Sequence, residues 1–232
     1  MLRAFGLGAV TVGLAACGAS TSGSAASSGS TASTGSAATT ATAATAAVTE
    51  IPDETAGPYP GDGSNGPDVL AESGVVRSDI RSSFGTSSGT AEGVPMRLEL
   101  AITDLPAGTP FAGVAVYVWH CTRDGGYSLY SAGVEDQNYL RGVQIADATG
   151  RVSFTSIFPA CYAGRWPHIH FEVYPDQASI TDAANAIATS QVALPKDACD
   201  TVYATTGYAA SVRTLAQVTL QNDTEYIVKL TR

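Results

Sequence analysis

HIHFEVYP, residues 168–175, decides how this chain is read. Ile169 and Phe171 alternate with His168 and His170, and a period of two marks a strand with one face turned into a core. The histidines then share the opposite face, with Cα atoms about 6.5 Å apart at a rise of about 3.3 Å per residue. They are two of only three histidines in 232 residues, so their pairing needs a reason.

Working outward, the same strand character recurs. GVAVYVWHC (113–121) is rich in β-branched and aromatic residues and is bounded by GTPFAG and RDGG, which punctuate turns. RLELAITDL, YLRGVQIAD, RVSFTSIF, QVALP and EYIVKL fit as further short strands, and DATG (147–150) joins two of them as a tight hairpin. The spacing predicts an all-β domain, an antiparallel β-sandwich with long irregular loops and little helix. A short helix is expected within DQASITDAANAIATS (176–190), and residues 53–93 read as irregular loop.

The first fifty residues differ from the rest. A basic start, Met1 to Arg3, precedes an apolar or small-residue run from Ala4 to Ala16, the layout of a secretory signal. The run is shorter than the about 20 apolar residues that span a bilayer. LAAC, Leu14 to Cys17, is similar to the lipobox of bacterial lipoproteins, which implies cleavage before Cys17 and acylation of its thiol, a firm anchor to a membrane. Residues 18–49 are almost entirely Ala, Ser, Thr and Gly and cannot bury enough apolar surface to offset their ordering entropy. The expected organisation is a signal segment over 1–17, a flexible tether over 18–50, and one well-cored domain over 51–232, exported and lipid-anchored to the outer face of a membrane or secreted. The formal net charge of −9, with no basic stripe, argues against a nucleic-acid partner. Cys121, Cys161 and Cys199 remain in the domain and allow one bridge in three pairings, among which the sequence does not choose.

Two imidazoles on one strand face can converge on a metal ion, or stand as two satisfied polar residues. The motif itself contains no Asp or Glu between or just before its histidines, but Tyr127 in RDGGYS and Tyr162 in FPACYAGR each end a predicted strand, where a side chain reaches the rim. A phenol has an unperturbed pKa of about 10, so it ligates only an ion acidic enough to displace its proton. Ferric iron is such an ion, and two phenolates with two neutral imidazoles leave it one formal positive charge. A zinc or copper site on the same histidines is a rival, although zinc favours Cys, His or carboxylate over phenols. His120 shares a face with Val114, Val116 and Val118 and reads as a core or rim residue, while Tyr117 and Trp119 on the other face read as packing. Arg141 either supports the site or pairs with an acid.

The ordered set WHCTRDGGYS … YLRGVQIADATGRVSFTSIFPACYAGRWPHIHFEV resembles the intradiol ring-cleavage dioxygenases, the catechol and protocatechuate dioxygenase family, and its cysteines resemble the exported bacterial branch. The resemblance is strong over 113–175 and fainter at ETAGPYP (54–60) and ATSQVALP (188–195). It implies a non-haem Fe(III) held by Tyr127, Tyr162, His168 and His170, and a small aromatic diol opened by O₂ to a muconate-type diacid. It further implies that Tyr162 leaves the metal and takes up a proton as the diol binds, and that Arg165 stabilises charge developing on the ring. Gln191 lines the pocket in this reading. Pro58 and Tyr59, with Gly57, form either a pocket wall or a turn opening the domain. The stretch AGVAVYVW … ADATGRVSFTSIFPACY also resembles the small transthyretin-like and carboxypeptidase-regulatory sandwiches, non-catalytic surface modules, whose pattern gives no reason for H-x-H with an arginine three residues before it.

Overall fold

A computed structural model describes residues 5–8, 12–14, 50–223 and 228–229. The lipobox Cys17 and the tether over 18–49 lie outside the described residues. The strands are β1 (Phe5–Gly8), β2 (Val12–Leu14), β3 (Pro95–Asp104), β4 (Thr109–Pro110), β5 (Ala115–Trp119), β6 (Arg141–Ile145), β7 (Arg151–Ile157), β8 (His168–Tyr174), β9 (Ala188–Ala193) and β10 (Val228–Lys229). Two short helices, α1 (Lys196–Tyr203) and α2 (Ala209–Leu215), follow β9.

Two sheets form. In one, β3 pairs with β7 and also with β1, β2 and β4. The other runs β10-β9-β8-β5-β6, antiparallel except for the β10–β9 pair. The antiparallel sandwich with little helix is therefore the observed fold. In β3 and β7 one face carries Leu98, Leu100, Val152 and Phe154 into the core, and the other carries Arg97, Glu99 and Ser153 toward solvent. In the second sheet β5 and β8 are buried on both faces. Val116, Val118, Ile169, Phe171 and Val173 pack toward the first sheet, while Ala115, Tyr117, Trp119 and Tyr174 belong to a separate apolar cluster on the reverse side. Each large apolar side chain fully buried this way contributes about 1.5–3 kcal/mol. The reverse face is covered by the irregular chain from 50 to 93 and by the loop after β5, and it is there that His168 and His170 point.

The helix expected within 176–190 is replaced by two 3₁₀ turns, Ala178–Thr181 and Ala183–Asn185. Asp176 accepts from Ser179 N–H ahead of the first turn, and Asp182, which accepts from Ala184 N–H, ends the first turn and starts the second instead of letting a helix propagate. All three domain cysteines are buried free thiols.

His120 lies on the core side of β5, as its alternation implies. Its Nδ1–H donates to the Cys121 carbonyl at 2.8 Å, so Nε2 accepts from the Ser156 hydroxyl at 2.7 Å. Burial, which penalises the imidazolium, pushes its pKa down to about 4. Its unfolded value is about 6.5, so the stability it lends is present above pH 6.5 and is lost as pH falls toward 4, on the order of 3 kcal/mol in all. Urea unfolding of the metal-free protein at pH 7.5 and pH 4.5 should show a smaller loss in His120→Gln than in the wild type, the difference being the His120 share.

Candidate metal centre

β8 delivers two of the central groups by simple alternation, since His168 and His170 lie on the same face. Tyr127 comes from the loop after β5 and Tyr162 from the turn after β7. The pairing of Trp119 with His170 places the end of β5 beside the second histidine, which carries the following loop over it. The four polar tips converge. His168 Nε2 is 3.1 Å from His170 Nε2 and 3.2 Å from Tyr162 Oη. Tyr127 Oη is 3.3 Å from Tyr162 Oη, 3.5 Å from His168 Nε2 and 3.4 Å from His170 Nε2.

These separations fit a shared ion. Four donors at roughly 2.0–2.1 Å from a centre stand roughly 3.3–3.4 Å apart at tetrahedral corners. The protonation pattern agrees. His168 Nδ1 is 2.5 Å from the Trp166 carbonyl, which can only accept, so Nδ1 carries the proton and Nε2 offers its lone pair to the cluster. Burial, with help from the Arg165 charge, lowers the His168 pKa to about 3. Burial and the neighbouring His168 take His170 well below the usual imidazole range. His170 stacks flat on Trp119, with ring centroids 4.9 Å apart, and its Nδ1 is buried without a hydrogen-bond partner. Burial also holds the Tyr127 phenol well above its ordinary pKa. The cluster is thus four neutral groups aimed at one point, and only a cation there makes phenolate favourable. Among the described residues no group of three or more His, Cys, Asp or Glu could hold a metal, so the phenols complete this donor set. That chemistry fits a hard, highly charged ion better than zinc.

All four groups lie within residues 65–170, the part of the chain that matches the family model Dioxygenase_C, described as Dioxygenase. A chlorocatechol 1,2-dioxygenase of Rhodococcus opacus is 40% identical over 67 residues. By these matches the chain is similar to the intradiol ring-cleavage dioxygenases. The Rhodococcus match covers 29% of this chain and 26% of the relative. A chlorocatechol 1,2-dioxygenase of Pseudomonas sp. (strain P51) is 33% identical, over 30% of this chain and 34% of its own length. The chain therefore spans about a quarter to a third of the curated relatives it matches. An intradiol ring-cleavage dioxygenase from Tetranychus urticae shares the fold, with a TM-score of 0.53 at 23% identity over 69% of this chain and 72% of that one.

Other residues singled out in the sequence gather around the four donors, several beyond the span that matches the family model. The segment 55–61 forms a wall. Gly57, at φ +69°, sits so close that a Cβ there would be 3.3 Å from His170 Cε1. Pro58 accepts from Asn65 through its carbonyl, and the Tyr59 ring packs on Tyr127 at 4.8 Å and on Tyr130 at 5.2 Å. Arg165 is buried rather than on the surface; its Nε donates to Asp223 at 2.8 Å and its Nη2 to Gln191 at 2.5 Å. Gln191 is the β9 partner of His170 in the sheet register. Arg141 takes the supporting role: it is buried and donates to the Pro60 and Ser128 carbonyls, to Ser128 Oγ and to Tyr117 Oη. It thereby ties the wall segment to the loop that carries Tyr127. Sequence reasoning did not find Asp223, and it took Trp119 for packing although its ring also supports a histidine.

Gly57→Ala should therefore act twice. Ala at positive φ costs about 1–2 kcal/mol, and here its methyl also crowds His170. Gly108 has nearly the same φ, +66°, with nothing within 4 Å of the place an added methyl would take, so Gly108→Ala isolates the backbone cost. Both variants should lose similar stability in urea, while only Gly57→Ala should weaken metal retention.

Proposed function

We propose that this protein is a non-haem Fe(III) enzyme that cleaves a small catechol-type aromatic diol between its hydroxyls with O₂, giving a muconate-type diacid. The observation that carries the reading is the convergence of Tyr127, Tyr162, His168 and His170 at a buried point, where Tyr127 Oη lies 3.3–3.5 Å from the other three tips and His168 Nε2 lies 3.2 Å from Tyr162 Oη and 3.1 Å from His170 Nε2. The match of residues 65–170 to the Dioxygenase family model supports it. A ferric ion held there would supply the Lewis acidity that makes loss of both diol protons favourable and the electronic route by which the ring becomes reactive toward O₂.

The chain's own residues do the rest. Tyr127 is almost fully buried, whereas Tyr162 is partly exposed. Tyr162 is thus the donor with room to swing aside, and its Oη is the atom that takes up one diol proton. His168 and His170 stay neutral and fixed, one by its bond to the Trp166 carbonyl and the other by stacking on Trp119. Arg165 places positive charge beside the site, where it stabilises negative charge gathering on the ring. Pro58, Tyr59 and Gln191 bound the substrate space, and the tilted Tyr59 ring offers an aromatic face to a planar diol. The layout of residues 1–17 supports export and anchoring through Cys17, tested by incorporation of a labelled fatty acid that Cys17→Ser should abolish.

The deciding experiment is metal analysis, visible absorption and O₂ uptake on the purified chain. About one iron per chain, a phenolate-to-iron charge-transfer band and ring-opened product from a panel of aromatic diols are expected. A colourless protein that takes up no iron on reconstitution and consumes no O₂ overturns the reading.

A further inference from the structure

We propose that Asp223, in the segment after α2, is a positioning residue that sets the orientation of Arg165. This rests on the reading of the site given above. The Asp223 side chain is 1% exposed and takes two donors from the turn that carries Tyr162. Oδ1 accepts from Arg165 Nε at 2.8 Å, and Oδ2 accepts from the Trp166 backbone N–H. The second bond makes the first one useful. A carboxylate tied to guanidinium alone would follow it through any swing; one tied also to the backbone cannot. The turn itself is closed by Arg165 N–H donating to the Tyr162 carbonyl at 3.3 Å, so the carboxylate is locked to the segment bearing Tyr162.

The opposite side of the guanidinium is held as firmly. Nη2 donates to Gln191 Oε1 at 2.5 Å, and Gln191 Nε2 donates in turn to the Thr55 carbonyl at 3.0 Å. A guanidinium is planar, and gripping it at Nε and at one terminal nitrogen fixes both its position and its plane. Gln191 lies across from His170 in the sheet, so that plane is referred to the ligand strand. Thr55 Oγ1 accepts from Gly57 N–H at 2.9 Å, so the contacts run on to the wall above His170. Asp223 is thus the C-terminal end of a strap, Asp223–Arg165–Gln191–Thr55, laid across the site. It also sets a negative charge against the guanidinium on the side away from Gln191.

The test is a double-mutant cycle between Asp223→Asn and Arg165→Met on the full chain. Asp200→Asn serves as the charge control, since Asp200 is exposed and pairs with Lys196. In the iron-loaded protein, Asp223→Asn should lower kcat on the order of 10²-fold, the cost of slight misplacement of a charged group, with KM little changed. Iron content and the position of the visible band should not move. In the Arg165→Met background the same change should alter kcat less than twofold. In metal-free protein, Asp223→Asn should lower Tm on the order of 10 °C, and in the Arg165→Met background it should not lower it, because the carboxylate there has lost its cation. Asp223→Glu, which keeps the charge, should recover part of the kcat. Equal kcat losses in both backgrounds, or lost iron, would make Asp223 a scaffold residue and overturn the proposal. If the wild type neither binds iron nor consumes O₂, the functional reading fails, and the metal-free cycle alone decides whether Asp223 positions Arg165.

Discussion

Tyr127→Phe should leave the metal-free fold intact while abolishing iron retention, colour and turnover together. The expectation follows from what the hydroxyl does with and without a cation. Without one, the phenol is buried, its pKa is pushed well up by desolvation, and its contacts to Tyr162, His168 and His170 are long, at 3.3–3.5 Å. Such bonds contribute little, about 0.5–1.5 kcal/mol each even when short and well aligned. Phenylalanine keeps the ring, so the packing against Tyr59 survives. The metal-free Tm of the variant should therefore match the wild type within a few degrees. With a ferric ion the balance reverses, because one of two anionic donors is gone. Wild-type protein should gain about 3 kcal/mol from iron at a hundredfold excess over Kd, and the variant should gain almost nothing. Turnover should fall by at least about 10³-fold, since a diol without the Lewis acid keeps its protons. Thermal melts with and without iron, read beside O₂ uptake, separate this from a folding defect. A variant that keeps the iron-induced shift and the visible band would remove Tyr127 from the ligand set.

The histidine half of the centre is legible in the sequence because it is local. Alternation along β8 puts His168 and His170 on one face whatever the rest of the chain does, and Ile169 and Phe171 say which face is core. The tyrosines are a different matter. Tyr127 and Tyr162 meet β8 only through the order of strands, with β5 beside β8 and the turn after β7 folding back, and no local pattern encodes that. Only an ordered resemblance points to them, and in the structure their hydroxyls lie 3.3 Å apart. Asp223 is beyond either route: it is 58 residues from Arg165, in a segment with no motif. The helices α1 and α2 are eight and seven residues long, too short to build a periodic signal, and their place is set by packing of Cys199, Val202 and Tyr203 on the core. Arg141 was visible as a strand residue, but its purpose depends on two distant carbonyls, at Pro60 and Ser128.

Those carbonyls make Arg141→Met the second large effect. Replacing a buried charge by an apolar side chain of similar length is often neutral, because a costly desolvation disappears with it. That argument assumes the partners leave too. At Arg141 the partners are chiefly backbone, the Pro60 carbonyl at 2.7 Å and the Ser128 carbonyl at 2.8 Å, with Ser128 Oγ at 2.9 Å, and they stay. Tyr117 still donates to Pro60, but the Ser128 carbonyl loses its guanidinium donor in a buried site, at about 1–3 kcal/mol. The backbone it steadies is itself strained. Leu129 and Leu140 both adopt positive φ, at 74° and 57°, one just after Ser128 and the other just before Arg141. Each such residue costs of order 1–3 kcal/mol and persists only where surrounding contacts hold it. With the clamp removed, relaxation of either leucine moves the loop that carries Tyr127. Arg141→Met should then lower stability by about 3–5 kcal/mol in urea and release iron as well. Arg141→Lys should restore little of either, because one ammonium cannot span the Pro60 and Ser128 carbonyls as a planar fork does. A loss below about 1 kcal/mol with iron retained would mean that the loops hold themselves, and that the strain at Leu129 and Leu140 is balanced by contacts other than Arg141.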